Sequence, residues 1–202
     1  MASARSALQT PRSAESGSKA QAERRKRIID ATIALASKGG YEAVQMRAVA
    51  EKADVALGTL YRYFPSKIHL LVVGLAREFE REQGKLERSK IPGDEAYERV
   101  LHVLNRITRA LQRNPQLTEA MTRAFMFADT SVANEVDHVA ELVERLFTAA
   151  MTEGEPTDEQ KAIARVIGDV WLSNLVAWVT RRASASDVTT RLELTVRLLL
   201  KG

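Results

Sequence analysis

Cysteine is absent from the 202 residues, which excludes disulfides, thiolate metal sites and thiol redox chemistry. Histidine is nearly as scarce. His69, His102 and His138 are the only imidazoles, and none stands in an HExxH pattern that would place two of them around zinc on one helix face. Five prolines and ten glycines argue against a turn-rich or collagen-like chain. Strand-like alternation of useful length is missing, and so is any run of about 18 uninterrupted apolar residues, so neither a sheet nor a membrane span is expected. There is no nucleophile elbow, phosphate-binding glycine loop or dinucleotide fingerprint. His102 and His138 stand near Glu98 and Glu141 only at spacings common on any wet helix face. Catalytic residues and metal ligands are therefore expected to be none.

What the chain does hold, 45% hydrophobic and 28% charged residues, suits a folded helical protein rather than a disordered one. Its net charge of +4 is unevenly spread. Residues 1–90 carry 17 Lys and Arg against 10 Asp and Glu, a balance of +7; residues 91–202 carry 13 against 16, a balance of −3. That asymmetry suggests a nucleic-acid footprint confined to one end. Met1 to Gly17 is rich in Ala and Ser without the apolar run of a signal peptide, so residues 1–20 are expected as a flexible tail of a cytoplasmic protein.

A helix is expected from near Ala22 to Lys38, with Ile28, Ile29, Thr32, Ile33 and Ala36 on one face and the Gly39-Gly40 pair as its stop. Short amphipathic helices follow near Gln45 and from Leu57 to Phe64. A long one starts after Ser66, the expected N-cap, and runs to about Arg88. Behind it, helices are expected from Asp94 or Glu95 to Leu111, after the Asn114-Pro115 cap, from Ser131 to Met151, after the Thr157 and Gln160 capping box, and after Asp187 as cap. The fold class is all-α, about nine helices: an N-terminal three-helix DNA-binding domain over residues 21–67, and a larger helical domain over 68–202.

The stretch Gln45 to Lys67, QMRAVAEKADVALGTLYRYFPSK, reads as a helix-turn-helix. Val49, Ala50, Val55, Leu60 and Phe64 can interlock as its core, leaving Leu57, Gly58, Thr59, Tyr61, Arg62 and Tyr63 outward. Arg47 suits bidentate pairing with guanine. Gly58 costs helix propensity yet allows close approach to a duplex. Tyr61 and Tyr63 offer hydroxyls to bases or phosphates; they would serve equally as packing residues between helices.

The stretch from Gly40 to Ala43, then Val49 to Ala53, then Gly58 to Lys67 resembles the N-terminal domain of the TetR family of bacterial repressors. The rest of the chain is similar in size and plan, and within that family it resembles actinobacterial repressors of sterol catabolism. The resemblance implies that Arg47, Leu57, Gly58 and Tyr61 face the groove, that Thr59, Tyr63 and Lys67 meet phosphates, and that Gln45, where threonine is common, does likewise. It also implies a ligand, a steroid or its coenzyme A thioester, that releases the protein from double-stranded operator DNA. One departure concerns the turn, commonly Gly-Val-Ser and here Asp54-Val55-Ala56. Ala56 cannot cap the recognition helix, which leaves Asp54 or water for that task.

In the second half, Phe79, Leu104, Met121, Phe125, Phe147, Met151, Trp171, Asn174 and Trp178 supply large apolar side chains and a polar anchor suited to a small apolar effector; solid core would use the same residues. One recognition helix reads too few base pairs to select an operator, so a homodimer is expected, its interface on the apolar faces of Val166 to Val179 and Leu192 to Leu200. A rear half of purely structural role would instead make a ligand-independent regulator.

Overall fold

The computed structural model describes residues 11–201, with side chains from residue 19. The described residues form nine α-helices: α1 Pro11–Ala43, α2 Met46–Ala53, α3 Leu57–Tyr63, α4 Lys67–Leu86, α5 Ala96–Gln112, α6 Pro115–Met126, α7 Ala133–Met151, α8 Asp158–Val179 and α9 Ala185–Leu200. A single 3₁₀ turn, Thr130–Val132, replaces the expected first residues of α7. The chain is already helical from Pro11 rather than from Ala22, and residues 1–10 of the expected tail lie outside the described residues.

Local chemistry sets most boundaries. Gly39 (φ −144°, ψ 19°) and Gly40 (φ 64°, ψ −157°) break the helical path inside α1, Gly40 in the left-handed region that a side chain resists. Ser66 caps α4 by accepting from the His69 backbone N–H, and Asn114 caps α6 by accepting from that of Leu117, with Pro115 at the first helical position. Thr157 and Gln160 form a reciprocal box at the head of α8. At α9 the cap is Ser184, not Asp187 as expected; Asp187 stands three residues in and returns its carboxylate to the Ser184 N–H. The hydroxyl of Ser184, then its backbone N–H, hold the Asp187 carboxyl below the usual carboxylate range.

Two cores result. Ile28, Ile29, Thr32 and Ala36 of α1 bury against Val49, Ala50, Leu60 and Phe64, closing the head. The larger core gathers Leu104, Ile107, Met121, Leu142, Leu146, Phe147, Ile167 and Trp171 from α5 to α8. Helix α4 joins them, packing on α1, α6 and α7. Its Arg77 also grips Asp30 of α1. Partial burial works to raise the Asp30 carboxyl, but hydrogen bonds from Arg77 and Lys26 outweigh it and hold the group below the usual range, so the tie persists at neutral pH.

Helix α8 modifies one expectation: by length and composition it is apolar enough to cross a membrane, although no uninterrupted apolar run exists in it. In this fold one face of it buries Ala164, Ile167, Trp171 and Leu175. Val166 is left exposed, as are Leu194 and Leu198 of α9.

The turn between α2 and α3 shows how the head tolerates its unusual sequence. Asp54 takes the left-handed conformation (φ 53°, ψ 56°) that ends α2, and its carboxylate leans toward Arg27 at 3.8 Å. It therefore does not cap α3; the N-cap is Ala56, with no side-chain bond. Restoring a hydroxyl by Ala56→Ser is expected to stabilise the head by about 1 kcal/mol, measurable as a higher urea midpoint; an unchanged midpoint would show that α3 gains nothing from a cap.

Candidate DNA-reading face and effector cavity

The short helix α3 buries only Leu60 fully, with Phe64 directly after it. Tyr61 is 47% exposed, and Gly58 and Arg62 are exposed beside it. Gln45 and Arg47 lie exposed at the N-terminal end of α2. Leu57 and Thr59 of α3 are half-buried. Tyr63 is also half-buried, its ring centre 6.5 Å from that of Phe64. It therefore packs and presents a hydroxyl at once. A Cβ built on Gly58 would meet nothing within 4 Å, so nothing inside the protein requires a glycine there.

Lys67 holds a different position from the others. Its ammonium lies 3.8 Å from the ring centre of Tyr41 and 3.9 Å from a Glu42 carboxylate oxygen. Arg123 of α6 reaches the same pair, its guanidinium 4.3 Å from the Tyr41 ring and 3.0 Å from Glu42. Glu119, one turn earlier, accepts the Tyr41 backbone N–H at 3.3 Å. Asn114 donates to the Ser37 hydroxyl at 2.9 Å. The Gln116 amide, turned to donate, reaches the Lys38 and Ser37 carbonyls at 2.7 and 3.0 Å. Asn114 and Gln116, at the head of α6, thereby bind the last turn of α1 before its glycine break. These contacts join residues far apart in the chain and had no local signal.

Behind this junction lies an apolar cavity of about 150 Å³. Four of the nine expected cavity residues line it: Phe79 of α4, Met121 and Phe125 of α6, and Trp171 of α8. Leu104, Phe147 and Met151 are buried in solid core, and Trp178 is a half-buried residue on α8. None of these four borders the cavity. Asn174 does not border it either; its amide N–H goes to the Val170 carbonyl at 2.8 Å, and its Oδ1 is buried without a partner among the described residues. The wall is completed by residues that periodicity had not singled out, among them Val139, Gly168 and Leu172, with Glu144, Arg165 and Asp169 as its charged members. Trp171 is fixed by donating its indole N–H to the Thr108 hydroxyl at 2.9 Å. Phe79 and Phe147 pack on it at ring-centre distances of 5.7 and 6.1 Å.

A second cleft of about 260 Å³ lies between α1, α4 and α7, with Arg25, Arg77, Glu80, Glu135 and His138 in its wall. Its density of charge suits water rather than a bulky apolar molecule. Among the described residues no group of three or more His, Asp or Glu could hold a metal ion.

Two family profiles match the chain: "Bacterial regulatory proteins, tetR family" over residues 28–72 and "Tetracyclin repressor-like, C-terminal domain" over residues 93–199. The HTH-type transcriptional repressor KstR of Mycolicibacterium smegmatis is 66% identical, covering 92% of this chain and 91% of that protein. The protein of the same name from Rhodococcus jostii is 70% identical over 91% of this chain and 85% of its own. Among solved structures, a TetR transcriptional regulator from Rhodococcus sp. RHA1 superposes with a TM-score of 0.83 at 31% identity, covering 89% of this chain and 97% of that one.

The open space at Gly58 separates folding from DNA contact. Gly58→Ala is expected to stabilise the protein by roughly 0.5 to 1 kcal/mol through helix propensity, while weakening binding to operator DNA. Thermal unfolding and anisotropy of a labelled duplex read the two effects independently; equal or tighter DNA binding by the variant would remove Gly58 from the reading face.

Proposed function

Because the chain belongs to the TetR family of DNA-binding transcriptional regulators, we propose that it is a ligand-responsive repressor of sterol-catabolism genes, binding palindromic operator DNA as a homodimer and released by a steroid or steroid-coenzyme-A thioester. The strong likeness to two repressors named KstR supports the repressor role, and the resemblance to repressors of sterol catabolism supports the effector class. In this reading Arg47, Leu57, Gly58 and Tyr61 enter the major groove, and Gln45, Thr59, Tyr63 and Lys67 meet phosphates. The exposed apolar residues of α8 and α9 pair two copies, setting two heads about 34 to 36 Å apart or a multiple of that.

The observation that carries the release mechanism is the double duty of α6. Met121, Thr122 and Phe125 face the cavity, while Glu119 and Arg123 on the same helix hold Tyr41 and Glu42 of the head. The cavity, at about 150 Å³, falls below the roughly 300 to 1,000 Å³ of ligand pockets. A bulky effector therefore has to displace its walls. Outward movement of α6 drags the end of α1, and Lys67 with it through Tyr41. Helix α4 follows by close contact, since a Cβ on its Gly74 would stand only 3.3 Å from the Met121 Cε. An effector favouring the displaced state about 100-fold contributes on the order of 2.7 kcal/mol against operator binding.

The test is anisotropy of a labelled palindromic duplex taken from upstream of sterol-degradation genes, titrated first with protein and then with steroids and their coenzyme A thioesters. Nanomolar binding reversed by one steroid class is the expected result. Specific binding indifferent to every steroid would sink the effector proposal and leave a ligand-independent regulator. Arg123→Ala is expected to keep effector affinity, read by tryptophan fluorescence in a Trp178→Phe background, yet shrink the effector-induced change in operator affinity to about tenfold or less. An undiminished change would show that coupling runs elsewhere.

A further inference from the structure

The N-terminal half of α1 passes beside the end of α3 and lays arginines on it. The Arg24 guanidinium donates to the Tyr63 hydroxyl at 3.4 Å, and the Arg25 guanidinium sits 4.9 Å from the ring centre of Phe64. Their neighbours are already paired, Lys26 with Asp30 at 3.2 Å and Arg27 with Asp54 at 3.8 Å. Among the described residues neither Arg24 nor Arg25 has a carboxylate partner. Since Tyr63 accepts from Arg24, its own O–H is free to donate outward, and the guanidinium keeps four further N–H donors. An O–H and a planar cation side by side, on the edge of an exposed recognition helix, make a donor set for a tetrahedral anion.

The geometry points to one phosphate-binding site, built by Arg24 and Tyr63 from two different helices, that grips the operator backbone and makes α1 a third DNA-contacting element. This rests on the DNA-reading function proposed above. Arg24 acts twice: it contacts the phosphate and it orients the Tyr63 hydroxyl, so the two residues work as a unit rather than as independent contacts. Phosphate is the same in every sequence, so the site contributes affinity and register without base preference.

The test compares the full-length protein with Arg24→Ala, Arg24→Lys, Tyr63→Phe, the Arg24→Ala/Tyr63→Phe pair and the control Lys26→Ala. Binding to the palindromic duplex and to a scrambled duplex of equal length is measured across a salt series. Arg24→Ala is expected to weaken both duplexes by a similar factor and to flatten the log–log salt slope by about 0.9 for each head bound. Arg24→Lys keeps the charge and is expected to retain the slope while losing affinity. In the pair, the Tyr63 substitution is expected to add little to the Arg24→Ala loss, and Lys26→Ala to leave the slope near that of the unsubstituted protein. An unaltered slope in Arg24→Ala, a loss confined to the palindrome, or fully additive losses in the pair would overturn the site. Absence of salt-dependent binding to either duplex by the unsubstituted protein would instead overturn the DNA-reading proposal, and this site with it.

Discussion

One aromatic ring stands where the head meets the larger helical domain. Tyr41 stands just after the break in α1, with the Lys67 ammonium on its ring from the head side and the Arg123 guanidinium from α6. Cation–π contacts of this kind are worth about 0.5 to 2 kcal/mol each, and the surrounding ion pairs, being partly exposed, add little individually. Their importance lies in geometry. Gly40 must turn the chain at positive φ to bring Tyr41 there, and a Cβ on it would stand 3.2 Å from the Glu119 carboxylate that accepts the Tyr41 N–H. The position of the head thus depends on a short stretch of backbone that cannot relax independently of α6.

The helical plan was legible because its signals are local. Ser66, Asn114-Pro115 and the Thr157 and Gln160 pair name their helix starts, since a cap is written within three or four residues. The same locality explains the error at α9, where Ser184 and Asp187 are both good capping residues and only the backbone decides which stands first. Cavity residues were less legible. Phe79 and Phe147 both pack on Trp171, yet only Phe79 borders the void, a distinction set by helix rotation and not by residue type. The junction around Tyr41 and the Arg24 contact to Tyr63, 39 residues apart, were beyond reach. Their partners meet only when helices pack, and arginines on a basic helix look alike in a linear string.

Helix α8 shows the opposite ambiguity. Its composition would serve a bilayer, a core or a protein interface equally. The capping box at its head and the burial of Trp171 and Leu175 mark one face as core. Val166, together with Leu194 and the 65% exposed Leu198 of α9, leaves an apolar margin on the other, which is what the proposed twofold assembly would cover.

Trp171 gives the cavity an uneven stiffness. Its indole is pinned by Thr108, whose own hydroxyl is spent on the Leu104 carbonyl at 2.7 Å, so turning the ring would strand a buried donor. Across the cavity, Met121 is buried but unbranched, and a change in its rotamer would break no hydrogen bond. The cavity therefore has a fixed wall on α8 and a more adaptable one on α6. For the proposed effector, the fixed indole would set the shape of one wall, and making room would fall to α6, the helix whose Glu119 and Arg123 hold Tyr41 and Glu42.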